Sequence, residues 1–585
     1  MSSSAFDEAV ACYQRGDAAG ARERLERFVV TAPDHAPAWH LLGVLRANAG
    51  AREAARTALE RAAALAPDNV DAQVNLGRVL QQLGASAEAA ATFGQALERD
   101  PGNLAAAEGR TDALWREQRY ADLVEPLRRL IALKPDATAP RRKLLTALRN
   151  SRQLEEAERE ARAVNQRFPD DLGFVADLAS ILRERGKTDE AIALSRRTIA
   201  IDPANVEARI NLGAALSDKE LLAEAADAFE EVLALKPDHI EARVNLGAVR
   251  YRQGDPDAAI LCYRAALERA PDHVSGHWNL SHALLQNGEF REGWAEYEWR
   301  WKTEKAALVA EKRKFPWPRW QGGALAGKRL FVFTEQGYGD AIHFVRYAPL
   351  LAAKGAIVTL EVQKDLARLC RSLAGVHRLL PRGAPIAGVE LQVPVMSLPH
   401  FLGTTLETVP AKVPYLAAEP AAVARWGQRL AGLPRPWVGL CWKGGRKFVG
   451  DRMRSIATPL LAELVGARPA GFVALMKDVA AEELAAAGIG DRVRLVADEL
   501  TDFAETAALI ANLDLVIAVD TAVAHLAGAL AKPVWLLLPE PADFRWLRHR
   551  TDSPWYPTAR LFRQPAPGAW PAVIGAVAAA LREFR

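Results

Sequence analysis

Cysteine, charge of one sign and long apolar runs are all scarce in this chain, and each scarcity removes a class of protein. Four cysteines occur in 585 residues: Cys12, Cys262, Cys370 and Cys441. They lie far apart and form no C-x-x-C pair or Cys/His cluster of zinc-ligand spacing, so free thiols are expected rather than a disulfide scaffold or a structural zinc. Lysine and arginine (75) nearly balance aspartate and glutamate (72), leaving a formal charge of +3. A nucleic-acid-binding protein needs a surplus of cations to displace phosphate counterions, so that class is not expected. The most apolar stretch, Leu509 to Leu538, is interrupted by Asp514, Asp520, His525 and Lys532. Those charges are costly in lipid, so no membrane span is expected there. The N-terminal residues lack a basic segment followed by an apolar core, which points to a cytoplasmic protein.

The first half is built on a period. Prolines stand at 33, 67, 101, 135, 169, 203, 237 and 271, every interval being 34 residues. With each proline at position 32 of a repeat, glycine falls at position 15 in Gly16, Gly50, Gly84, Gly186, Gly254 and Gly288. Alanine falls at position 20 in Ala21, Ala55, Ala89, Ala157, Ala191, Ala225 and Ala259. Glycine turns the chain between two helices, a small alanine lets them approach, and proline ends the pair because it cannot continue a helix. Leu-Gly pairs at 42–43, 76–77, 212–213 and 246–247 complete a pattern that resembles the tetratricopeptide repeat family. Eight repeats and a variant ninth hairpin cover residues 1–301. The resemblance implies an α-solenoid, a right-handed superhelix with a concave groove suited to a protein partner.

Position 6 carries Asn75, Asn211, Asn245 and Asn279, a series broken by Lys143 and Asp177. It resembles the asparagine ladder that holds protein substrates in O-GlcNAc transferases. Two roles stay open for these amides: bonding an acceptor's backbone in the groove, or tying adjacent helices together. A joint at 302–328 follows an aromatic-rich segment with Trp294, Tyr297, Trp299 and Trp301, expected to wedge the array against the next domain.

From residue 329 short apolar runs alternate with helical segments, as βα units in parallel sheets require. Strands are expected at 330–334, 357–362, 390–395, 437–441, 472–476, 515–519 and 534–538. They group into lobes at 329–415 and 416–585, separated near the proline-marked Pro410 to Tyr415, with a closing helix at 571–583 expected to cross back to the first lobe. The first lobe opens strand, Glu335-Gln-Gly337-Tyr-Gly339-Asp340, helix; Asp340 either caps the helix or points into the cleft. The second contains strand, Asp520-Thr521-Ala522-Val-Ala-His525, helix, whose free N–H groups suit a phosphate. Asp520 is expected to cap that helix and His525 to be a core or orienting residue. A distal segment with Phe544, Arg545, Trp546, Arg548, Trp555 and Tyr556 looks exposed and either closes over the cleft or packs as a loop.

The Gly-Asp340-Ala-Ile-His343 and Asp520-Thr521-x-x-x-His525 motifs together are similar to those of heptosyltransferase-type glycosyltransferases, over about residues 325–585. This resemblance implies a GT-B domain of two Rossmann-like lobes. It casts Asp340 as general base and the stretch Asp520, Thr521, Ala522 and His525, with Gly337 and Gly339, as the donor site. It also implies a phosphate-holding cation, for which Lys443, Arg452 and Arg454 are the candidates. The family usually has glycine where this chain has Ala522. Asp-x-Asp occurs only in the repeat turn Asp255-Pro-Asp257, so no divalent cation or other cofactor is expected beyond a nucleotide-sugar substrate. The fused repeats suggest a protein acceptor, with flagellin among the candidates as in bacterial TPR-linked protein glycosyltransferases. On flagellin the sugar could be a nonulosonic acid carried on a nucleotide monophosphate. A non-catalytic scaffold with a degenerate lobe, and a glycan- or lipopolysaccharide-assembly glycosyltransferase, are the alternatives.

Overall fold

A computed structural model describes residues 2–303, 313–445 and 451–584. Among them, nine helix pairs run from Ser2–Gln14 and Ala18–Thr31 to Val274–Asn287 and Phe290–Tyr297. The glycine at position 15 has φ between +76° and +88° in all six repeats that carry it. Three repeats make the same turn without glycine, at Gln118 (φ +53°), Arg152 (+61°) and Glu220 (+61°). The close approach within a hairpin is steric: a Cβ on Gly77 would lie 2.7 Å from the Phe93 ring. A second 34-residue period emerges as helix caps. Asn69, Asn103, Asp171 and Asn205 accept an N–H of the following helix, and His35, His239 and His273 do so through Nδ1.

The chain divides into compact units at 1–228 and 229–585. The border falls inside the helix Leu222–Leu235, so the last two hairpins group with the α/β part instead of ending a separate domain at 301. In the second unit one sheet has the order β3-β2-β1-β4, with β1 Arg329–Phe333, β2 Ile357–Val362, β3 Val376–Pro381 and β4 Leu391–Pro394. The other has the order β10-β9-β8-β5-β6-β7, with β5 Trp437–Cys441, β6 Gly471–Ala474, β7 Val493–Arg494, β8 Leu515–Val519, β9 Val534–Leu538 and β10 Ala559–Arg563. All pairings between these strands are parallel. The central strands β5, β8 and β9 are buried throughout, which is why they read as uninterrupted apolar runs.

The aromatic segment is core. Trp294 and Tyr297 are almost fully buried, and Trp294 meets the Phe344 ring of the first lobe edge-on at 5.8 Å. Phe315 and Trp317 pack against Phe331 on the far face of β1. Arg300 is buried among Glu335, Glu298 and Ser397, with Nη2 donating to Glu335 Oε1 at 2.8 Å. Two expectations need correction. The closing helix, Trp570–Glu583, packs on the helix Leu461–Gly466 and on β10 of its own lobe, where Arg468 donates to the Phe584 carbonyl. The distal aromatics are interior: Phe544, Trp546, Trp555 and Tyr556 are all at most 3% exposed. Alternating Arg and Pro in that segment mask an apolar set that the fold gathers inward.

Candidate functional site

Two strand-to-helix turns meet across a cleft of about 870 Å³. From the first lobe comes β1 and the helix Tyr338–Phe344; from the second come β8 and the helix Ala522–Ala529, and the two helices pack on one another. Gly339 sits at the crossing, where a Cβ would lie 3.0 Å from His525 Cδ2 and 3.6 Å from Ala522 Cα. This close approach explains the small residues in both motifs.

Asp340 is both a helix-end residue and a cleft residue. Its Oδ2 accepts the Gly337 N–H at 3.0 Å, and its Oδ1 accepts from Arg545 Nη2. Burial pushes its carboxyl above the ordinary aspartate range, and the Arg545 guanidinium and the Gly337 N–H oppose that shift.

Asp520 does not cap the second helix. Thr521 occupies the cap position and its hydroxyl donates to the Val519 carbonyl at 3.2 Å, so the first helical N–H groups carry no side-chain cap. Asp520 instead faces His525, with Oδ1 3.6 Å from Nε2, and burial with Asp543 nearby pushes its carboxyl up to about 6. The Asp520 carbonyl accepts from Arg454 Nη1 at 2.7 Å, which places that guanidinium beside the helix start.

Behind the cleft, Tyr556 Oη lies 3.0 Å from Nδ1 of both His343 and His525. One hydroxyl can donate to only one of them. The assignment that fits has His343 donating to Tyr556, Tyr556 donating to His525, and the His525 Nε2–H facing Asp520; His343 Nε2, which has no partner, is then the bare nitrogen. Burial holds both imidazoles well below their ordinary pKa, hence neutral.

Lys443 lines the cleft with Nζ on Glu483, and Arg454 also bonds Asp451 Oδ1 at 3.1 Å. The side chain of Arg452 lies outside those the structure describes. Gly337, Gly339, Asp340, Lys443, Arg454, Asp520, Thr521, Ala522 and His525 all line this one cleft. Arg545, which the sequence marks only as part of the distal segment, and its neighbour Asp543 also line it; Tyr338 and Phe503, at 4.9 Å between rings, add an aromatic edge. Among the described residues no three His, Cys, Asp or Glu side chains gather as metal ligands, and no helix is long and apolar enough to cross a membrane.

The position-6 amides are half-buried on the first helix of their hairpins. Asn211 donates to the Ala176 carbonyl at 2.9 Å, and Asn75 Nδ2 lies 2.9 Å from His40 Nε2, so these two reach back to the preceding repeat. Asn245 and Asn279 occupy the equivalent place in their own hairpins.

Residues 6–70, 142–206, 177–240 and 244–297 match one tetratricopeptide repeat model and residues 46–113 another. Residues 474–537, which include the Asp520-to-His525 motif, match the model of glycosyltransferase family 9 (heptosyltransferase). The chain thus carries tetratricopeptide repeats and, after them, a segment similar to glycosyltransferase family 9. A curated relative, Protein FlbA of Caulobacter vibrioides (strain ATCC 19089 / CIP 103742 / CB 15), is 34% identical over 327 residues. That alignment takes in 52% of this chain and 54% of the relative, so the chain spans about half the length of the curated relative it matches. Solved structures resemble it more loosely. The structure of Naa15/Naa10 bound to HypK-THB has a TM-score of 0.35 and 16% identity, covering 53% of this chain and 52% of that one. Yeast Tom70 has a TM-score of 0.30 and 16% identity, covering 51% and 62%.

Proposed function

We propose that the two-lobed domain moves a sugar from a nucleotide-activated donor to a hydroxyl of a protein recruited by the repeats, flagellin being a candidate acceptor. The observation that carries this reading is the meeting of a partly buried carboxylate, Asp340, with an uncapped helix start and basic side chains in one cleft. Asp340 takes the proton from the acceptor hydroxyl as its oxygen bonds to the anomeric carbon. The bond from that carbon to the donor phosphate breaks, and its electron pair leaves with the phosphate. Charge developing there is met by the N–H groups of Ala522–Ala529 and by Arg454 and Lys443, which exchange Asp451 and Glu483 for the donor. His525 orients Asp520 beneath that site, and of the position-6 asparagines Asn245 and Asn279 are the proposed acceptor contacts, since Asn75 and Asn211 are spent on the preceding repeat.

Titration calorimetry with UDP, GDP, ADP and CMP tests the donor half. One nucleotide is expected to bind, with at least tenfold loss in Arg454→Ala and Lys443→Ala. Failure of every nucleotide to bind folded protein would remove this reading and favour a scaffold.

A further inference from the structure

The loop that follows β9, Pro539 to His549, carries the guanidinium that meets Asp340, and the repeat hairpins hold that loop. Gln286, on the helix Val274–Asn287, donates through Nε2 to the Ala542 carbonyl at 2.9 Å. The Phe544 ring is 3% exposed and sits edge-on to His282 and Trp294, each with centroids 5.7 Å away. Arg548 Nη2 donates to the Gly254 carbonyl at 2.9 Å, and its Nη1 lies 3.3 Å from Asp257 Oδ2 and 3.5 Å from Asn287 Oδ1. Three contacts from the last two hairpins thus pin a loop of eleven residues at about its middle and end. The loop needs pinning, because Leu547 and His549 both sit at positive φ (+52° and +53°), which side chains disfavour unless their surroundings impose it.

Between those pins Arg545 is 7% exposed, flanked by the Phe344 and Phe544 rings, with Nη1 on Asp543 Oδ1 at 2.8 Å and Nη2 on Asp340 Oδ1. We propose that the last two repeat hairpins are a working part of the active site, holding the loop so that Arg545, a positioning residue, stays on Asp340 and keeps that carboxylate ionised. This rests on the reading of Asp340 as the base. The groups facing Asp340 are Arg545 and Asp543 from the loop, Asp520 and His525 from the second lobe, Tyr297 from the last hairpin, and His343 on its own helix. His343 and His525 are held neutral, so Arg545 is the cation in direct contact.

Asp340 is 20% exposed and opens on the cleft, so its protonation can be read without substrate. Full-length protein is treated with a water-soluble carbodiimide and glycinamide across a pH series; the reagent captures protonated carboxyls, and tandem mass spectrometry separates Asp340 from Glu335 on the same tryptic peptide. Arg545→Gln is expected to move the Asp340 midpoint up by about one unit or more, a tenfold change in protonated fraction, and Arg545→Lys to restore part of it. Phe544→Leu moves it the same way, as does Arg548→Met, which, at a partly exposed position, still serves if Arg545→Gln does not fold. An unchanged midpoint in folded Arg545→Gln overturns the proposal; a shift there with none in the two loop variants overturns the part assigned to the repeats. Labelling reads the carboxyl whether or not sugar is transferred, so the two failures are distinguishable: a shift without transfer keeps the coupling of the hairpins and Arg545 to Asp340 but overturns its part in an active site, along with the role of Asp340 as base.

Discussion

Replacing Asp520 with asparagine should stabilise the second unit, and only above mildly acid pH. The side chain is 17% exposed at the end of β8, and burial with Asp543 raises its pKa from the ordinary 3.8 to about 6, while Arg545 and Arg454 offset part of the effect. The folded state therefore keeps this proton to a higher pH than the unfolded chain does. Between about pH 4 and 6 the folded state binds more protons, so stability falls as pH rises through that window, and below it nothing is lost. The full shift corresponds to about 3 kcal/mol, and residual exposure reduces it to about 1–2 kcal/mol. An asparagine side chain has the same shape without the titration. Asp520→Asn should then match the wild type at about pH 3.5, below that window, and exceed it by about 1–2 kcal/mol at pH 7.5. Urea unfolding followed by tryptophan fluorescence suits the test, because of 15 tryptophans only Trp39 and Trp115 lie before residue 229. A gap that is absent or reversed at pH 7.5, or wider at acid pH, would refute the electrostatic account of Asp520.

Gly528→Ala should destabilise the same unit by about 1–3 kcal/mol, since its Cβ would fall 2.3 Å from Tyr556 Cδ1 in the core behind the cleft; the fluorescence transition measures it. Gln118→Gly, at an exposed αL turn where six of the repeats use glycine, should stabilise the first unit by about 0.5–1 kcal/mol in circular-dichroism melts. Arg300→Met leaves Glu335 buried without its cation and should cost about 3–5 kcal/mol, with Arg300→Met/Glu335→Gln recovering much of it.

Where local sequence dictates local structure, the chain can be read directly. The 34-residue spacing of proline and glycine marks the helix pairs because proline ends a pair and glycine turns it. The limits of β2, β5, β8 and β9 match the apolar runs residue for residue. The strands that escape notice lie at or next to a sheet edge: β3 and β10 carry His377, Arg378, Arg560 and Arg563, which blur the pattern, and β7 is two residues long. The histidine caps escaped because imidazole is an uncommon cap acceptor. The motifs place Asp340 and Thr521 in the cleft, but the partners that set their chemistry come from far along the chain. Arg545 reaches Asp340 across 205 residues and Glu483 reaches Lys443 across 40, pairings that the fold alone supplies.

The central claim is transfer of sugar to a protein with Asp340 as the base. Its most direct test is intact-protein mass spectrometry of candidate acceptors, flagellin included, from cells carrying the wild-type gene, a deletion, or Asp340→Asn. The account predicts a sugar mass present only with the wild-type gene, absent in the deletion and in folded Asp340→Asn. Unchanged acceptor masses across all three strains would contradict it.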